Sequence, residues 1–264
     1  MTKTKSTTER EKVIKMVNKI KYWLLVLLMC GTTVSCIKKS KTFTVNGVSF
    51  RMIKVYGGTY TMGCTPEQEN DCEDREHPAH SETVADFMIG ETEVTQELWK
   101  AVMGENPSRF LFGEKLQWPA TYISWDQCQK FISKLNRLTG QTFRIPTEAE
   151  WEYAARGGNK SHGYKYSGSN DVNEVAWYYD NSRNALQCVK TKKPNELGIY
   201  DMSGNVQEFC QDQFSFNYNE TRYSVLVVSR GGCSNSHAND VRVSKRSYAH
   251  PIYPILLGGL RLAL

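Results

Sequence analysis

The sequence predicts an α+β body with long irregular stretches between its regular elements. Helix-start signals stand ahead of apolar residues at helical spacing, and short alternating runs read as strands. The remainder is rich in Gly, Asn, Ser and aromatic residues. No internal repeat, low-complexity stretch or Pro-rich hinge divides the chain beyond its leader, so one domain is expected.

The leader comes first. Met1–Cys36 holds seven basic residues and two acidic ones, and the rest balances at 26 of each sign. A neutral body offers no electrostatic footprint for nucleic acid. Lys21 is followed by Tyr22–Met29, an apolar run too short to span a bilayer but suited to a signal segment. It closes on Thr33-Val34-Ser35-Cys36, where small residues before a Cys resemble the lipobox of bacterial lipoproteins. That resemblance implies acylation of Cys36 and an anchor in the envelope, with outer-membrane surface display expected. An ordinary cleaved signal peptide or an uncleaved anchor fits the same residues. The reading is therefore a signal peptide over 1–36, a tether over 37–47 and a domain over 48–264.

An exported body sits among oxidants, so its six cysteines can pair. Cys64 and Cys72 flank a short polar loop and form the expected disulfide. No CxxC spacing points to structural zinc.

The regular elements follow. Met52–Val55 and Val225–Val228 alternate as strands. Thr95 caps a helix over Gln96–Met103 that stops at Gly104. Ser124-Trp125-Asp126-Gln127 is a capping box, and behind it Cys128, Phe131, Ile132, Leu135 and Leu138 recur at helical spacing before Gly140. Thr147-Glu148-Ala149-Glu150 is a second box, opening a helix through Arg156.

Several blocks resemble one family in order and spacing. They are Gly58–Gly63, Glu91–Thr95, Pro119–Trp125, Phe143–Gly158, Asn195–Val206, Arg230–Gly232 and Gly259–Arg261. Together they identify the stretch from about Val48 to Leu264 as similar to the sulfatase-modifying-factor, or formylglycine-generating-enzyme-like, family. The resemblance implies a C-type-lectin-related fold with much irregular structure. Function lives in the site, and this family spans copper oxidases, iron enzymes, structural lipoproteins of secretion and gliding complexes, and variable binding proteins.

The oxidase reading needs two thiolates for Cu(I) a few residues beyond Gly231-Gly232. The matching positions are Ser236 and Val241, and Cys233 stands alone at the wrong offset. No catalytic cofactor is expected. His77, His80 and Glu82 form the one cluster with iron-ligand chemistry, and a structural loop explains them better. Asp201–Glu208 resembles the family's calcium loop. It implies a structural calcium on the carboxylates of Asp201 and Glu208 and the carbonyls of Gly204 and Val206; a metal-free turn fits equally well.

The C-terminal stretch resembles the variable region of proteins diversified by retroelements that mutate adenines. Randomised Asn codons cannot yield Glu, Gln, Trp, Met or Lys, and Cys233–Gly259 has none of these except Lys245. The expected binding face is Ser234, Asn235, Ser236, His237, Asn239 and Asp240, then Ser247, Tyr248 and His250, then Ile252, Tyr253, Ile255, Leu256 and Leu257. Such side chains offer adaptable hydrogen bonds and aromatic contact of low entropy cost. A buried final strand after a polar loop is the plainer alternative. The expected function is non-catalytic binding of a protein or glycan at a cell surface, against a structural lipoprotein or an oxidase.

Overall fold

The computed structural model describes residues 15–19, 39–68, 71–219 and 222–264. The signal segment after Lys19 and the proposed lipidation at Cys36 lie outside them. Residues 15–19 are helical and belong to a unit distinct from Lys39–Leu264.

The body starts earlier than the sequence predicts. Residues expected in the tether form β1 (Ser40–Val45), which pairs antiparallel with β2 (Val48–Val55) across Asn46-Gly47. Both turn residues have positive φ, 47° and 84°, the twist a two-residue hairpin requires. Phe43 and Val45 are buried, so this strand is core rather than tether. Weak patterning in Ser-Lys-Thr-Phe-Thr-Val, beside a leader, hid it. β5 (Phe87–Gly90) adds to the other edge of β2, and β3 (Gly58–Met62) with β4 (His80–Val84) makes a separate two-stranded sheet.

The three predicted helices form where their caps lie. α1 (Gln96–Met103) is capped by the Thr95 hydroxyl, which accepts from Leu98 N at 3.2 Å. α2 (Trp125–Thr139) opens on a reciprocal box: Ser124 N donates to Gln127 at 2.8 Å and Gln127 N to Ser124 Oγ at 3.2 Å. α3 (Glu148–Ala155) does the same through Thr147 and Glu150. In α2, Cys128, Phe131, Ile132 and Leu135 are buried, while Leu138 is exposed because the helix runs past the core before Gly140 ends it.

The largest sheet has the order β8 (Arg246–Ala249), β7 (Arg222–Arg230), β6 (Gln207–Asn219), β9 (Gly258–Gly259). β9 runs parallel to β6, and the chain beyond it threads the interior. Val94 N donates to Leu260 O, Gly90 N to Leu262 O and Met88 N to Leu264 O, at 2.7 to 2.9 Å. Leu260 and Leu262 join the main core of Met52, Trp99, Phe131, Leu135, Ile145 and Phe209. A second core under α3 holds Trp151, Met202, Val228 and Val243.

Candidate functional site

Three fully buried arginines frame the C-terminal segment. Arg230 donates to Glu152 and to the carbonyls of Ser244 and Lys245 at 2.6 and 2.8 Å. Arg242 binds both oxygens of Glu76 at 2.8 and 2.9 Å, and the carbonyls of Asp71 and Asn239. Arg261 binds Glu208 and the carbonyls of Gly90 and Tyr200. A buried charge is tolerable only when paired and hydrogen-bonded; each of these has a carboxylate partner and backbone carbonyls, and only the Nε of Arg230 is left without an acceptor. The loop just before Glu76, which carries Asp71, is closed by a Cys64–Cys72 disulfide, as its short polar sequence predicts.

Between these anchors the chain surfaces twice. Asn235, His237 and Asn239 are exposed, with Ser236 and Asp240 half-buried beside them. His250, Ile252, Tyr253 and Leu256 are exposed in the later stretch, after half-buried Ser247 and Tyr248. Local contacts hold these side chains. His237 packs on Tyr179 at 5.1 Å, His250 on Tyr253 at 4.6 Å, and Tyr248 on Phe214 at 5.4 Å between centroids. The guanidinium of Arg75 lies 5.5 Å from the Tyr248 ring, and Asn239 reaches Asp71 at 3.2 Å. Asp240 pairs with Lys245 at 2.9 Å.

Three residues expected on this face leave it. Ser234 is buried, its N–H given to Asn205 O and its carbonyl taken by Ser182. Leu257 packs with Leu186 and Val206, and Ile255 packs on the main core while bridging Ile123. For Ile255 and Leu257 the cause is β9: a Cβ on Gly259 would meet Val206 at 2.5 Å, so two glycines let this strand press against β6 and draw its neighbours inward. The structure adds residues the sequence reading missed. Phe112 and Trp118 pack around Leu257 beside Cys233, and Thr121 Oγ1 donates to Leu256 O at 2.9 Å. Tyr122, next to that contact, is 40% exposed at a φ of 58°, a left-handed conformation unusual for a bulky side chain. Phe110, Leu111 and Leu116 are exposed on the same connection. The apolar run Phe110-Leu111-Phe112 before Gly113 was the signal available.

At the positions where copper thiolates would sit, Ser236 Oγ accepts from Cys233 N at 3.0 Å. Val241 is buried among Tyr166, Val175 and Tyr178. Burial pushes the Cys233 thiol up. His80 meets Glu82 at 3.4 Å and the Pro78 carbonyl at 2.9 Å on the surface, and His77 neighbours the two sulfurs already joined in the disulfide.

The donor set implied for calcium does not fit. Glu208 is spent: Arg261 Nε lies 3.0 and 2.9 Å from its two oxygens, Nη2 gives 2.6 Å, and Trp151 Nε1 donates at 2.6 Å. Asp201, at a φ of 59°, accepts Lys190 N on Oδ2 at 2.6 Å. Its Oδ1 and the Oε2 of buried Glu93 have no hydrogen-bond partner among the described residues, while Glu93 Oε1 accepts from Asn205 Nδ2 at 3.0 Å. Burial pushes Glu93 well above the usual carboxylate range and Asp201 to about 6. Gly204 and Val206 lie in the same turn, Gly204 so close to Trp177 that a Cβ would meet its carbonyl oxygen at 2.2 Å.

Residues 38–264 match the sulfatase-modifying factor enzyme 1-like domain. The chain belongs to this family. Within it, a chaperone protein named LppX from Paenibacillus barcinonensis is 32% identical, over 84% of this chain and 91% of its own length. Among solved structures, Treponema denticola variable protein 1 superposes with a TM-score of 0.71 at 31% identity, over 85% of this chain and 98% of its own. A formylglycine-generating enzyme of Streptomyces coelicolor is 31% identical over 50% of this chain and 48% of its own. The α+β fold that the motifs imply is thus the family's fold, and family membership includes enzymes and proteins with other names alike.

Proposed function

We propose that this chain is a non-catalytic, surface-displayed binding lipoprotein whose C-terminal face is diversified by a retroelement. One observation carries the reading. Two stretches that surface, 235–240 and 250–254 with Leu256, alternate with buried anchors: Arg230, Arg242 and Arg261 with their carboxylates. Such a frame lets side chains on the exposed stretches change without disturbing the core beneath. The absence of Glu, Gln, Trp and Met from Cys233–Gly259 supports adenine-directed change, and the likeness to a variable protein of Treponema denticola supports the same role. Ser236 and Val241 at the thiolate positions speak against copper chemistry. The partner would be a protein or glycan at a cell surface, with a lipid anchor at Cys36 holding the body to the envelope.

Sequencing the 3′ end of the gene across many cells of the source population tests this. Substitutions should fall in codons for the two exposed stretches, at adenines of a nearby near-copy, with the codons for Arg230, Arg242 and Arg261 fixed. An invariant 3′ end without a second copy would overturn diversification. It would favour a second reading, supported by the likeness to LppX, in which a fixed face assists another envelope protein.

A further inference from the structure

We infer that the guanidinium of Arg261 takes the place of the divalent cation at the 201–208 turn, so that this body folds and holds its face without calcium. Three carboxyl groups, Glu93, Asp201 and Glu208, are buried together around the fully buried Arg261. A calcium ion needs six to eight oxygens at 2.3–2.6 Å, drawn partly from carboxylates that have nothing else to bind. Glu208 has no oxygen to give. Arg261 donates from Nε and Nη2, and Trp151 donates from the side of α3, so both its oxygens are engaged. Asp201 has committed Oδ2 to the Lys190 amide, and only its Oδ1 and the Oε2 of Glu93 are left without a hydrogen-bond partner, too few oxygens for a calcium shell.

The guanidinium is also fastened in a way that prevents it from yielding to a metal. Its remaining donors reach the carbonyls of Gly90 and Tyr200 at 2.9 and 2.8 Å. Leu260 and Leu262 on either side are locked into β5 and its neighbourhood by backbone bonds. Swinging Arg261 aside would strand a buried cation and break the C-terminal segment out of the core. The ionic bond that holds the turn to the sheet is therefore internal to the chain.

Calorimetry of the Lys39–Leu264 body within the full chain, in EGTA and then in millimolar CaCl2, tests the inference. The two melting temperatures should coincide. A site filled at a hundredfold excess over its Kd would instead raise the midpoint by roughly 5–10 °C, and such a rise overturns the inference. Terbium luminescence sensitised by Trp177 or Trp151 supplies the second readout, and a saturable one-site signal at neutral pH also overturns it. Glu208→Gln separates the ion pair from mere packing. Its melting temperature should fall and stay down when CaCl2 is added, whereas recovery with calcium would mean that the metal and not Arg261 is the natural counter-charge.

Discussion

Arg242 carries a full charge where water does not reach, and Glu76 is what makes that arrangement stable. Burial alone would push the Glu76 carboxyl up. The hydrogen bonds from Arg242 and Ser244 outweigh it and bring the group from 4.5 to about 2. A carboxyl whose pKa is lower in the folded state stabilises the fold fully above its unfolded pKa. That contribution, on the order of 3 kcal/mol, is then lost as pH falls from about 4.5 to about 2. Thermal midpoints measured across this window should drop steeply for the natural chain. Glu76→Gln should flatten this part of the profile and start lower at pH 7, because Arg242 keeps its charge and loses its partner. Breaking such a buried pair costs about 3–5 kcal/mol. Replacing Arg242 by Lys should not rescue, since one ammonium cannot serve Glu76, Asp71 and Asn239 from a single planar fork.

At the scale of elements, the caps explain why the helices were readable in the sequence. Ser124→Ala removes the oxygen that accepts Gln127 N and should cost about 1 kcal/mol, read as a lower denaturant midpoint with unchanged slope. The same logic shows what escaped. α1 to α3 carry their start signals within four residues, and the Cys64–Cys72 loop carries its own in eight. β1 carries one, the Asn46-Gly47 turn into β2, which the neighbouring leader masks; β9 carries none, because its partner β6 is distant, and so Ile255 and Leu257 read as surface in the sequence. For the face implied by the resemblance, Asn235, His237, Tyr253 and Leu256 are exposed, while Tyr122 and Phe110 come from a loop more than a hundred residues earlier. Only the fold brings that loop to Leu256 through Thr121. The disulfide loop is an element with its own prediction. Replacing Cys64 and Cys72 by Ser opens the ring that carries Asp71 and loosens the chain leading directly into Glu73 and Glu76, and all three hold the C-terminal segment. Hydrogen exchange at Asn239–Arg246 should then accelerate before exchange in α2 does.

For the whole molecule, the end of the chain is an interior element, and the consequence is a sharp division between positions left on the surface and positions that hold the fold. Leu260, Arg261, Leu262 and Ala263 are all at most 2% exposed, and their backbone bonds join β5, the start of α1 and the segment before α3. Tyr253 and Leu256, a few residues earlier, are more than half exposed. Large surface side chains away from caps and networks shift stability by no more than about 0.5 kcal/mol, whereas Leu→Ala in a packed core costs about 2–5 kcal/mol. Alanine at Ile252, Tyr253 and Leu256 together should therefore leave the melting temperature nearly unchanged while abolishing attachment of the purified chain to cells that display its proposed partner. Leu260→Ala should do the reverse, lowering the midpoint by roughly 5–15 °C and leaving attachment intact below it. If the triple variant melted like Leu260→Ala, the later stretch would be core and the binding face would have to lie elsewhere. If both variants attached as the natural chain does, these residues would have no part in binding, and the exposed loop at Phe110 and Tyr122 would be the next surface to change.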